Sequence, residues 1–94
     1  MDRNTFKDKA KKGIDDLFSE IEKLEQKREK LQGEARVKYN EKIAQLKEKR
    51  IELQHKYQSM KDATPEKWEE ARSSFSKSFD SLKEGFSRLA EIFK

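Results

Sequence analysis

With 94 residues, 45% of them charged and only 32% hydrophobic, the chain makes one domain at most, residues 1–94, near the lower size limit for folding alone. It has no Cys, which excludes a disulfide framework and a thiolate metal site, and no run approaches the roughly 20 apolar residues of a membrane span. Net charge is +4, divided as +1 over residues 1–33, +3 over 34–64 and 0 over 65–94; the signs are interspersed as on a solvated helix, which argues against the one-sided basic face of a nucleic-acid binder.

The N-terminal stretch "MDRNTFKDKAKKGIDDLF" is charged throughout and lacks the apolar core of a signal peptide, so a cytoplasmic location is expected. "TFKD" predicts the start of a first helix, with Thr5 as N-cap and Asp8 three residues on. Apolar residues then recur at helical spacing: Phe6, Ala10, Ile14, Leu17, Ile21, Leu24, Leu31, Ala35, Tyr39, Ile43, Leu46, Leu53, Tyr57 and Met60, with Arg28 and Arg50 filling two slots. From Ile14 onward the steps alternate between three and four, except for three successive fours between Leu31 and Ile43. That is a heptad seam with one extra residue, which unwinds a supercoil locally without breaking a helix. Gly13 weakens the early stripe by about 1 kcal/mol.

The stretch "LQGEARVKYNEKIAQL" decides the architecture. The seam is mirror-symmetric about Val37, so either a hairpin within one chain or an antiparallel dimer would pair the same residues. A helix–helix connection usually spends 2–8 residues rich in Gly, Pro, Asn or Asp. Here Gly33 and Asn40 stand seven residues apart with good helix formers between them. The expected structure is therefore one continuous helix over about residues 5–62, with a monomeric three-helix bundle turning near 33–41 as the alternative.

The end of the first helix is marked clearly. "MKDATPEKW" predicts a turn at 62–65, Thr64 as N-cap of a second helix and Pro65 in its first turn, where a missing N–H is harmless; Ala63 and Trp68 take the two positions of a hydrophobic staple. The second helix, about 65–93, carries Trp68, Ala71, Phe75, Phe79, Leu82, Phe86, Leu89 and Phe93 on one face. Five of the nine aromatic residues lie on that face, which reads as core.

A straight first helix of about 87 Å would far outreach a second helix of roughly 43 Å. The expected fold is then all-α, an antiparallel coiled-coil hairpin that dimerises to cover the seam the second helix cannot reach. Phe6, Ile14, Leu17, Ile21, Leu24, Leu31, Ala35 and Tyr39 form the predicted oligomer interface, with Phe18 beside Leu17. Ile43, Leu46, Leu53, Tyr57, Met60, Trp68, Phe75, Phe79, Leu82, Phe86, Leu89 and Phe93 form the predicted hairpin core. In that dimer Arg50 would lie opposite Leu24, and Arg28 opposite Leu46, where charged seam residues can fix register.

The segment "WEEARSSFSKSFDSLKEGF" resembles small bacterial coiled-coil proteins of the cyanobacterial stress-response type. Trp68, Ala71, Phe75, Phe79, Leu82 and Phe86 match that family's spacing, and "KYNEKIAQLKEKRIELQHKYQSMKDAT" is similar to the end of its first helix. The likeness spans roughly residues 35–90; Pro65 and the Ser-rich stretch 73–81 depart from it. It implies a helical, oligomeric, stress-linked protein and supplies no activity, ligand or site residue.

No catalytic, cofactor-binding or metal-binding constellation is read from the chain. Glu52-x-x-His55 is the spacing of helical di-iron bundles, but those need two such pairs and further carboxylates, and His55 is the only His. The six Ser residues of the second helix (73, 74, 76, 78, 81 and 87) read as small, helix-approach or outward positions. The function expected is a non-enzymatic structural or interaction protein, a homodimer without a small-molecule substrate. The competing reading is reversible binding to a membrane surface through Phe75, Phe79, Leu82, Phe86, Leu89 and Phe93, although that helix lacks the Lys/Arg-rich flank such helices favour.

Overall fold

The computed structural model describes residues 2–93. Three helices follow one another: α1 (Arg3–Lys27), α2 (Gly33–Lys61) and α3 (Trp68–Glu91), with a single 3₁₀ turn, Arg28–Lys30, between α1 and α2. The expected continuous helix is thus interrupted at Arg28–Gln32: the chain forms three helices as in the alternative, but it turns before the 33–41 expected there, and it measures 51 × 18 × 16 Å rather than forming a rod.

The interruption is built from backbone. The Leu31 N–H donates to the Arg28 carbonyl at 3.0 Å, Leu31 and Gln32 are extended, and Gly33 opens α2 with φ +60°, the one positive φ among the described residues. Glycine takes that conformation without the steric cost of a Cβ. Asn40, the other candidate breaker, lies inside α2.

Pairs across the helices give the register. Arg3 donates to the Ala63 carbonyl, Lys7 Nζ to the Lys61 carbonyl at 3.0 Å, Arg50 lies on Phe18 and Lys47 meets Glu25. α1 and α2 are therefore antiparallel, and these pairs have their midpoints at residues 33 to 36, earlier than the Val37 mirror. α3 runs back along α2, with Tyr39 edge-on to Phe93 and Tyr57 against Phe75. It lies parallel to α1, where Phe6 meets both Trp68 and Phe75. Gly85 lets α2 and α3 approach closely: a Cβ there would fall 2.7 Å from Leu46 Cδ2. Gly13 faces the Phe79 ring, which would lie 3.1 Å from an added Cβ, so its cost in the helix is offset by packing.

One core holds all three helices, with Ile14, Leu17, Phe18, Ile21 and Leu24 from α1, Tyr39, Ile43, Leu46, Leu53 and Met60 from α2, and Phe75, Leu82 and Leu89 from α3. Burying the five α1 side chains stabilises the closed form by about 7–15 kcal/mol as an upper bound. Breaking the helix costs a handful of backbone hydrogen bonds at about 1 kcal/mol net each. A second chain would bury the same side chains only after an association cost of about 4–15 kcal/mol. The fold-back therefore covers these side chains without a second molecule.

Helix ends also differ from the sequence expectation. The N-cap of α1 is Asp2, not Thr5: its carboxylate accepts the Thr5 N–H at 2.8 Å and the Thr5 hydroxyl at 3.0 Å. That leaves Asp8 inside the helix. At the second connection, Lys67 N–H donates to the Thr64 carbonyl at 3.0 Å, so Thr64–Lys67 is a turn with Pro65 at its second position, where a fixed φ is favoured. α3 begins at Trp68, three residues later than predicted, and its N-cap is Lys67 rather than Thr64.

Candidate interaction surface

The residues predicted to face a second chain face the same chain. Ile14, Leu17, Ile21, Leu24 and Tyr39 are buried, Phe6 and Leu31 pack on the core from its edge, and Ala35 is half-buried. The cover expected from a partner is supplied by the fold-back at Arg28–Gln32. Ile43, Leu46, Leu53, Met60, Phe75, Leu82 and Leu89 are buried, and Tyr57, Trp68, Phe79, Phe86 and Phe93 pack against them. The six α3 side chains of the membrane reading are therefore all engaged in the bundle, and no helix among the described residues is long and apolar enough to cross a membrane.

The two seam arginines part company. Arg28 is exposed in the 3₁₀ turn. Arg50 is half-buried, its guanidinium carbon 4.0 Å from the Phe18 ring centroid, a cation–π contact rather than the predicted pairing with Leu24. Beside it Lys47 Nζ lies 3.3 Å from Glu25, tying α2 to α1. Glu52 pairs with Lys56 at 3.3 Å while His55 is exposed, and among the described residues no three His, Cys, Asp or Glu side chains gather in metal-binding geometry. Of the Ser residues, 74, 76 and 78 are half-buried and 73, 81 and 87 exposed; Ser81 Oγ accepts from Lys49 Nζ at 2.9 Å.

Two buried polar atoms lack a hydrogen-bond partner among the described residues, Arg3 Nε and the Tyr39 hydroxyl. Tyr39 is fully buried. Burial first, and then the charge of Glu25, push its ionisation above the usual 10.0, while Arg28 pulls the other way. The depressions of the surface are shallow and held by mixed residues. An open one of about 410 Å³ lies beside the second connection over Lys56, Ser59, Ala63, Thr64, Ala71 and Ser74, and a more apolar one of about 240 Å³ lies between α1 and α3 over Phe6, Ala10, Gly13, Phe75 and Phe79.

The surface that stands out is the back of α2. Among the described residues the other helices hide their large apolar side chains, yet Val37 and Ile51 are 58% and 57% exposed. They are two heptads apart with Ala44, also exposed, midway between them, so all three lie on one line of the helix at about 10.5 Å intervals. Each step of 100° per residue places that line opposite Tyr39, Leu46, Leu53 and Met60, the core face of the same helix. Flanking the line are Asn40 and Glu41, Lys47 and Glu48, and Gln54 and His55, all exposed. Sequence reasoning used Val37 only as a mirror centre and passed over Ile51, which adjoins the seam residue Arg50. The signal that finds them is the seven-residue recurrence of Val37, Ala44 and Ile51.

Compared with known protein families, with curated proteins and with solved structures, the chain matches none.

Proposed function

We propose that this protein is a non-enzymatic structural or interaction protein that acts as a closed three-helix bundle and associates through its outer helical surface, first of all with a second copy of itself. The observation that carries this is the apolar line Val37, Ala44 and Ile51 on the face of α2 turned away from the core. A single exposed apolar residue on a protein surface is ordinary; a heptad-spaced row on an otherwise polar face supplies one of the two apolar positions per heptad of a coiled-coil seam. This differs from the dimer expected from sequence, which used residues now committed to the core. The stress link rests on the sequence resemblance alone.

Sedimentation equilibrium from micromolar to millimolar concentration tests this reading. The average mass should climb from 11.2 kDa toward twice that value, and Ile51→Asp should hold it at the monomer. A mass that stays monomeric across the whole range removes self-association from the reading.

A further inference from the structure

We infer that two copies pair in parallel and in register along α2, so that Val37, Ala44 and Ile51 each meet their own counterpart; this rests on the self-association proposed above. The two sides of the apolar line fix the direction. Asn40, Lys47 and Gln54 lie on one side of it, and Glu41, Glu48 and His55 on the other.

A two-fold axis parallel to the helices brings one side of each α2 against the opposite side of its mate. Lys47 then faces Glu48 of the partner subunit, Asn40 can donate to Glu41 of the partner subunit, and Gln54 meets His55 of the partner subunit, each contact occurring twice. An antiparallel pair with its axis at Ala44 brings like sides together instead, and Glu41 then faces Glu48 of the partner subunit. Unlike charges across a helical interface stabilise and like charges destabilise by similar amounts, so the charge pattern selects the parallel arrangement. The heptad line, straight only if the helices supercoil gently to the left, suits the same packing.

The seam is narrow, because α2 offers it one apolar position per heptad. Its area falls at the low end of specific interfaces, about 1,000 Å² or less, and the dimer belongs to the weak, reversible class. Lys47 is 63% exposed while its ammonium lies 3.3 Å from Glu25, so Glu48 of the partner subunit would be a second carboxylate on the same ammonium group, which has three donors.

The absence of Cys makes the test direct. Single variants Val37→Cys, Ala44→Cys and Ile51→Cys, with Ser73→Cys on α3 as an off-face control, are oxidised at concentrations where the unmodified protein sediments as a dimer. Parallel pairing predicts that the three α2 variants each form a disulfide dimer with themselves well ahead of the control. If only Ala44→Cys links to itself, and Val37→Cys links to Ile51→Cys in a mixture, the pairing is antiparallel and the inference is overturned. A dimer in which no α2 variant links faster than the control uses another face and overturns it too. A protein that never dimerises overturns the underlying reading as well. Glu48→Lys gives an independent sign: it should weaken a parallel dimer about tenfold by setting a second ammonium group against Lys47, and strengthen an antiparallel one.

Discussion

The two connections of this bundle reverse the chain equally well, by opposite means. The one at Asp62–Lys67 is held by side chains: Pro65 presets the Thr64–Lys67 turn, Gln58 Nε2 donates to Asp62 at 2.8 Å, and α1 reaches over to it through Arg3 and Lys7. Trp68 then closes that end against Phe6, with the Arg3 guanidinium 4.8 Å from its ring. The connection at Arg28–Gln32 has almost none of this. Its residues are mostly exposed, Gln32 makes no side-chain capping bond, and one glycine with φ +60° sets its path. A turn specified by residues such as Pro65 is favoured locally, and the contacts from α1 add to it. A turn specified by one backbone angle persists because the helices it joins gain from lying together.

The difference can be broken most severely at Phe75, which meets Phe6, Tyr57 and Phe79 and so joins all three helices near the second connection. Phe75→Ala should lower the unfolding free energy by about 3–5 kcal/mol in urea titration; a loss below about 1 kcal/mol would show that this end is not the anchor. Gly33→Ala attacks the other connection. It should strain the turn by about 1–2 kcal/mol and favour an uninterrupted helix by about 1 kcal/mol, so sedimentation should reveal an elongated dimer. An unchanged compact monomer would mean the glycine backbone does not govern the reversal.

Tyr39→Phe sharpens the contrast from the first end. Removing a buried hydroxyl without a partner should raise stability by about 1–2 kcal/mol, read from the urea midpoint; a loss would reveal a bond to that oxygen. The smallest effect belongs to Asp2, fully exposed, whose carboxyl is held below its ordinary 3.8 chiefly by the Thr5 N–H and then its hydroxyl. A lowered folded-state pKa means the cap contributes fully above the ordinary value and is lost as pH falls through the lowered one. Local opening at Thr5 should therefore become more frequent on acidification from about pH 5 to about pH 2, read as a loss of amide-exchange protection after correction for the intrinsic rate, and Asp2→Ala should abolish that dependence.

The all-helical class and the second connection were legible from residue types alone. So was the spacing of the apolar stripe, because position on a helical face depends only on local periodicity. The first connection was not. Gly33 and Asn40 looked like equal and weak breakers within good helix formers, and the palindromic seam satisfied a hairpin and a rod alike. What separates those two is the entropy of recruiting a second molecule, which no local pattern encodes. The start of α1 failed for a smaller reason: Asp2 and Thr5 both suit an N-cap, and only the position of the helix distinguishes them. The outer line of α2 needed the structure, because Val37, Ala44 and Ile51 acquire meaning only once the inner face is known to be full.

Gly33 also has a consequence for a chain that opens. Released from α2 and α3 on the short hinge Arg28–Gln32, α1 finds its own docking site again at an effective concentration in the millimolar range, as short flexible tethers give. Another molecule's vacant site offers the same contacts, since the same side chains line it. At ordinary dilution an α1 that opens is therefore expected to return to its own chain before a neighbour's site can capture it.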